Sequence, residues 1–146
     1  MKNKKLLYIS LIVIALIIAS VNFFILNKLN GIPVKLDSQF QLKVNQVAYI
    51  QSENIKIKFL DVIQDSRCPS DVVCVRAGEV AILANIIKNN KNLGDFMLII
   101  SPGNEDLTSE IFDGYSVRLI RVDPYPKSTQ KIELSDYITT LIVAKE

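Results

Sequence analysis

The sequence predicts an all-β fold: an antiparallel β-sandwich of about seven short strands, immunoglobulin-like or similar, preceded by one N-terminal transmembrane helix. Three observations carry that expectation. Apolar residues alternate with polar ones at period two, as in Ile55, Ile57 and Phe59 around Lys56 and Lys58, and in Val80, Ile82, Ala84 and Ile86. That is the pattern of a strand with one buried face. Between such segments lie the turn chemistries Gln51-Ser52-Glu53-Asn54, Asn89-Asn90-Lys91-Asn92, Ser101-Pro102-Gly103-Asn104 and Asp113-Gly114, where a helical protein would show caps. Residues 6–26 are different, an uncharged run of 21 that contains 15 Leu, Ile, Val or Phe.

As a helix that run would be about 31 Å long, the thickness of a bilayer hydrocarbon core. Its large apolar side chains contribute roughly −5 to −9 kcal/mol toward insertion, enough to outweigh Asn22 near the end. Lys2, Lys4 and Lys5 precede the run and only Lys28 follows closely. The positive-inside rule then puts residues 1–5 in the cytoplasm and the chain beyond residue 26 outside. A cleaved signal peptide has the same charged start. Here, however, the apolar run continues past its only small-residue pair, Ala19-Ser20, with no A-x-A site and no lipoprotein cysteine after it. The expectation is an uncleaved, single-pass signal anchor in the plasma membrane. Ala15, Ala19 and Asn22 stand at i, i+4 and i+7, a small and polar face against which another transmembrane helix could pack.

Residues 27–33 are expected to be a juxtamembrane linker and residues 34–146 the extracytoplasmic sandwich. Strands are expected near 40–44, 46–50, 55–63, 79–88, 95–100, 115–123 and 137–144. Residues 106–112 are expected to make one short helical turn. Pro124 and Pro126 bracket Tyr125 as the chain leaves a strand. Such a rigid segment either caps a sandwich edge or offers Tyr125 to a partner. Tyr137 is expected to fold back in a hydrogen bond like that of a tyrosine corner.

Cys68 and Cys74 are separated by five residues in a chain that its anchor would export, and are most simply a disulfide. A C-x-x-C redox pair is absent, and without His or further Cys no zinc or iron–sulfur site can be assembled. The surrounding segment carries Asp65-Ser66-Arg67-Cys68-Pro69, Val73-Cys74 and Ala77-Gly78-Glu79, with Pro124-Tyr125-Pro126 and Asp136-Tyr137 further on and Leu141 beyond them. In these motifs the outer domain resembles a family of small secreted or lipoprotein domains of bacteria and archaea. Members usually carry an aromatic two residues past the second Cys, where this chain has Arg76. The resemblance implies a disulfide-stapled β domain outside the membrane and no particular reaction.

Composition narrows the chemistry. The absence of His excludes His-based triads, zinc hydrolases and blue-copper sites. Setting aside Lys2, Lys4, Lys5 and Lys28 leaves 13 basic against 15 acidic residues, and no basic tract with interleaved aromatics, so nucleic acid is excluded as a partner. Asp61, Asp65, Asp71 and Glu79 crowd around the cysteine loop. They could supply oxygen ligands to calcium, but they lack EF-hand spacing, and turn amides with Arg67 or Arg76 are the simpler partners. No cofactor is expected. The functional expectation is a non-catalytic binding or structural module, an accessory subunit of a larger membrane or envelope complex, with the bilayer and other membrane subunits as partners. The alternative is a small free-standing envelope enzyme or calcium-binding domain.

Overall fold

The computed structural model describes Tyr8, residues 10–22 and residues 31–146. They belong to two compact units, Met1–Gly31 and Ile32–Glu146. In the first unit residues 10–22 form a helix, α1, and every one of them is exposed. Its polar side chains bond to its own backbone: Ser20 Oγ donates to the Ile17 carbonyl at 2.8 Å and Asn22 Nδ2 to the Ile18 carbonyl at 2.9 Å. Among the described residues no helix is long and apolar enough to cross a membrane. Residues 6, 7, 9 and 23–26 of the expected span lie outside the described residues, as do residues 1–5 and 27–30.

The second unit is a two-sheet β structure. Five strands, β1 (Ile32–Val34), β3 (Val47–Ile50), β4 (Ile55–Asp65), β5 (Val80–Lys88) and β6 (Lys91–Ile100), make one sheet in the order β1-β3-β4-β5-β6. The other sheet runs β2-β9-β8-β7, from β2 (Gln39–Lys43), β7 (Ser109–Phe112), β8 (Tyr115–Asp123) and β9 (Ile138–Lys145). The alternating residues face inward as the period predicts: Ile55, Ile57, Phe59, Ile82, Ile86 and Leu98 of the first sheet share one buried cluster with Leu42, Val117, Leu119, Leu141 and Val143 of the second. Burying that apolar surface at about 25 cal/mol per Å² is the main force holding the sheets face to face.

The structure corrects the strand map in three places. Ile32 and Pro33, expected in the linker, belong to β1, which pairs parallel with β3. Pro33 is tolerated because β1 lies at the sheet edge. The expected helical turn over 106–112 is a 3₁₀ turn over Glu105–Thr108 followed by strand β7. Asp113 and Gly114 both have positive φ, 46° and 78°, so they close a two-residue hairpin that draws 109–112 into the ladder with β8. The Asn89-Asn90 pair, at φ 51° and 62°, does the same and lets β6 begin at Lys91. Among the described residues nine strands result instead of seven.

Candidate functional site

Two long connections meet at one end of the sandwich: residues 66–79 between β4 and β5, and residues 124–137 between β8 and β9. Arg67 joins them. Its guanidinium forms a two-pronged pair with Asp65, Nε to Oδ1 at 2.8 Å and Nη2 to Oδ2 at 2.6 Å, and both side chains are only 8% exposed. The remaining donors reach across: Nη1 donates to the Val122 carbonyl at 2.6 Å and Nη2 to the Pro124 carbonyl at 3.0 Å. Tyr137 OH completes the cluster by donating to Asp65 Oδ2 at 3.1 Å. A planar, permanently charged fork that satisfies a carboxylate and two carbonyls at once suits this buried place.

Electrostatics follow from that geometry. Burial pushes the Asp65 carboxyl up, and the Arg67 guanidinium, helped by Tyr137, outweighs it and holds the group below the ordinary carboxylate range. Burial and then the Asp65 charge push the Tyr137 hydroxyl up to about 12. Above the cluster, the Tyr125 ring lies 4.9 Å from the Arg67 guanidinium carbon, a cation–π contact.

The cysteine loop is fastened on both flanks. Cys68 and Cys74 are bonded to each other. The stem continues the β4–β5 ladder through Ser66 N–H to the Glu79 carbonyl at 2.8 Å and Cys68 N–H to the Ala77 carbonyl at 2.9 Å. Gly78 is required there: its φ is +68°, and a Cβ would sit 1.8 Å from the Ser66 carbonyl oxygen. On the other flank, Ser70 N–H donates to the Pro126 carbonyl at 2.9 Å. Ser128 donates to both oxygens of Asp71, from N–H at 2.8 Å and from Oγ at 2.6 Å, which lowers the Asp71 carboxyl. The loop leaves Val73 and Val75 fully in solvent.

The four carboxylates that could have supplied ligands to calcium are separately engaged, and among the described residues no group of three or more metal-ligating side chains comes together. Asp65 is taken by Arg67 and Asp71 by Ser128, while Asp61 Oδ1 accepts from Val62 N–H at 2.8 Å and Glu79 Oε1 from Gln64 at 3.5 Å. These bonds are of the structural kind that the sequence favoured over calcium, although Ser128 and Gln64 rather than turn amides alone supply them. Of the two partner-contact candidates, Tyr125 is half exposed but stacked on Arg67, and Arg76 is exposed beside an open cleft of about 520 Å³ that Gln64, Ser66, Glu79 and Ser101 also line. On α1, Ala15 and Ala19 are exposed and the Asn22 amide is bonded within its own helix. Tyr137 bonds to a side chain 72 residues away, unlike the local backbone bond of a tyrosine corner. Sequence reasoning missed Ser128, and it missed the exposed valines, although Val72-Val73 and Val75 stand out as apolar residues inside an otherwise polar loop.

No family model matches the chain, and neither the curated proteins nor the solved structures contain a match.

Proposed function

We propose that the chain is a membrane-anchored extracytoplasmic β-sandwich module with a non-catalytic, binding or structural role, an accessory single-pass subunit of a larger membrane or envelope complex. The observation that carries this reading is the fate of the polar groups in the densest charged cluster. Asp65, Arg67, Asp71 and Tyr137 are spent on tying two connections together, and a side chain committed to holding the fold is not free to act as base or nucleophile. Helix α1 supports the anchor, since its residues other than Ser10, Ser20 and Asn22 are apolar and every one of them is exposed, as in a helix that lipid solvates. The disulfide supports export to an oxidising compartment.

The test is topological and compositional. A tag after Glu146 should be reached by a membrane-impermeant label, with the protein retained in the pellet after carbonate washing. Native mass spectrometry of gently solubilised membranes should find it with stoichiometric partners, and Ala19→Leu should weaken that association. A chain released by carbonate, or found alone at every detergent concentration with Ala19→Leu silent, would replace this reading with that of a free-standing envelope protein.

A further inference from the structure

The four sheet edges differ in how they are guarded. They are β1 and β6 in the first sheet and β2 and β7 in the second. β1 is three residues long and carries Pro33, β7 is four residues long and carries Glu110, and β2 is five residues long and turns Gln39, Gln41 and Lys43 to solvent. Shortness, proline and charged or polar side chains all discourage the addition of another strand. β6 has ten residues, and its run Phe96-Met97-Leu98-Ile99-Ile100 contains no charge, no proline and no glycine. The register shift in its pairing with β5 lies before this run, opposite Asn92 and Gly94. Among the described residues the backbone of β6 pairs with β5 alone.

We infer that β6 pairs antiparallel with β6 of a second copy of this chain, about a two-fold axis at Leu98, and so joins two five-stranded sheets into one. This goes beyond the proposed function and does not depend on residues 6–26 spanning a membrane. The occupant of a free edge is a polypeptide strand, because a strand offers N–H and C=O groups at the spacing the edge presents. The side chains then select the strand. Leu98 is fully buried and Phe96 and Ile100 pack against the core, so Met97 and Ile99 stand on the outer face of the sheet. Met97 is 49% exposed there.

Read antiparallel against itself about Leu98, the run sets Met97 opposite Ile99 on the outer face and Phe96 opposite Ile100 on the inner one. Asp95, held by Asn85 Nδ2 at 2.6 Å, falls opposite Ser101. Other axes match less well. An axis at Met97 sets Asp95 opposite Ile99, one at Phe96 sets it opposite Met97, and one at Asp95 sets the two carboxylates against each other. The joined sheet ends on both sides in β1, where Pro33 stops further growth, so the assembly closes as a dimer.

The test is sedimentation velocity of full-length protein in detergent, with ultraviolet cross-linking from a benzophenone amino acid placed at position 97. The native chain is expected as a dimer. Met97→Lys should raise the dissociation constant about tenfold or more, because it sets an unpaired ammonium against Ile99 of the second copy. Ile99→Glu should do the same. Mixing the two variants should restore a dimer with one chain of each, because the new ammonium and the new carboxylate then face each other. The cross-link should join position 97 to the peptide containing Ile99 of a second copy, a readout that does not require Ile99→Glu to fold. A native chain that is monomeric at every concentration with no cross-link overturns the inference. So does a dimer that Met97→Lys leaves intact and whose cross-link falls outside β6. With both variants folded by circular dichroism, a mixture no more dimeric than either alone overturns the axis at Leu98.

Discussion

At the disulfide end of the sandwich a buried guanidinium does the fastening, whereas at the opposite end the ties run outward from buried Tyr115 and largely buried Lys88 to half-buried Glu53 and exposed Asp113. There Tyr115 OH donates to the Glu53 carboxylate, and Lys88 Nζ lies 3.9 Å from the Tyr115 ring centroid and 3.5 Å from Asp113, whose side chain is 63% exposed. The difference follows from the connections each end must close. The Asn89-Asn90 and Asp113-Gly114 hairpins are two-residue turns whose positive φ values match the strand twist and fix the register unaided. The connections at residues 66–79 and 124–137 are long for a domain of this size and carry a larger closure entropy. Cross-bracing them with Asp65, Arg67, Tyr137 and the disulfide offsets that entropy. Chain that is ordered by side chains is therefore concentrated at one end, and the solvent-facing valines sit on it.

Removing the brace should give the largest effect. Arg67→Ala leaves Asp65 charged, nearly buried and without its partner, and frees the Val122 and Pro124 carbonyls, so unfolding free energy should fall by about 3–5 kcal/mol. Denaturant titration checks this. A loss within about 0.5 kcal/mol would show the pair to be a surface contact of little weight. Cys68→Ala together with Cys74→Ala comes next. A seven-residue loop removes roughly 2.4 kcal/mol of unfolded-state entropy, so that loss is expected in the same titration, with the far-ultraviolet strand signal unchanged.

The same end should also govern the pH limits of stability. Asp65 has its carboxyl lowered, so folding favours its charged form; that contribution is complete above the ordinary carboxylate value and drains away as pH falls through the folded one. Tyr137 is the reverse. Its hydroxyl is raised to about 12, so folding favours the neutral form and the contribution is complete below about pH 10, the ordinary tyrosine value. It is lost as pH rises to about 12. Melting temperature followed against pH should show an alkaline decline in this window that Tyr137→Phe flattens, and an acid decline that Asp65→Asn flattens. An alkaline limb identical in Tyr137→Phe would place the titration elsewhere.

How far the sequence could be read depends on the range of the interactions involved. β8 was bounded correctly at Tyr115–Asp123 because its alternation ends in a turn signal at each side. Cys68 with Cys74 was legible as a pair of near neighbours, whereas the choice of Arg67 over Arg76, and of Asp65 as its carboxylate, was left open by the sequence. The Tyr137–Asp65 bond was not legible, because it joins positions that only the order β2-β9-β8-β7 and the packing of the two sheets bring together. β7 was hidden because four residues are too short for a period, and its strand character comes from the Asp113-Gly114 turn that pairs it with β8. Structural hydrogen bonding of these carboxylates was legible, but the partner of Asp71 was not, because proximity in sequence says nothing about which donor reaches a carboxylate first. Asp71 found Ser128, 57 residues away.

The smallest effect should come from the opposite end, where the contrast is sharpest. Tyr115→Phe deletes the hydroxyl that donates to Glu53 but keeps the ring, which is buried in the core cluster, stacks with Phe112 at 6.1 Å between centroids, and lies under Lys88. The lost bond lowers the Glu53 carboxyl and raises the Tyr115 hydroxyl in the native chain, so its removal should return the Glu53 carboxyl toward its ordinary value, readable by carboxyl-carbon NMR titration. Glu53 is only half-buried, so water can take the place of the lost hydroxyl at little cost. The melting temperature should therefore shift by only a small fraction of the Arg67→Ala shift. A Tyr115→Phe loss equal to that of Arg67→Ala would mean that this end is braced as strongly as the other, and that loop length does not decide where the ties are needed.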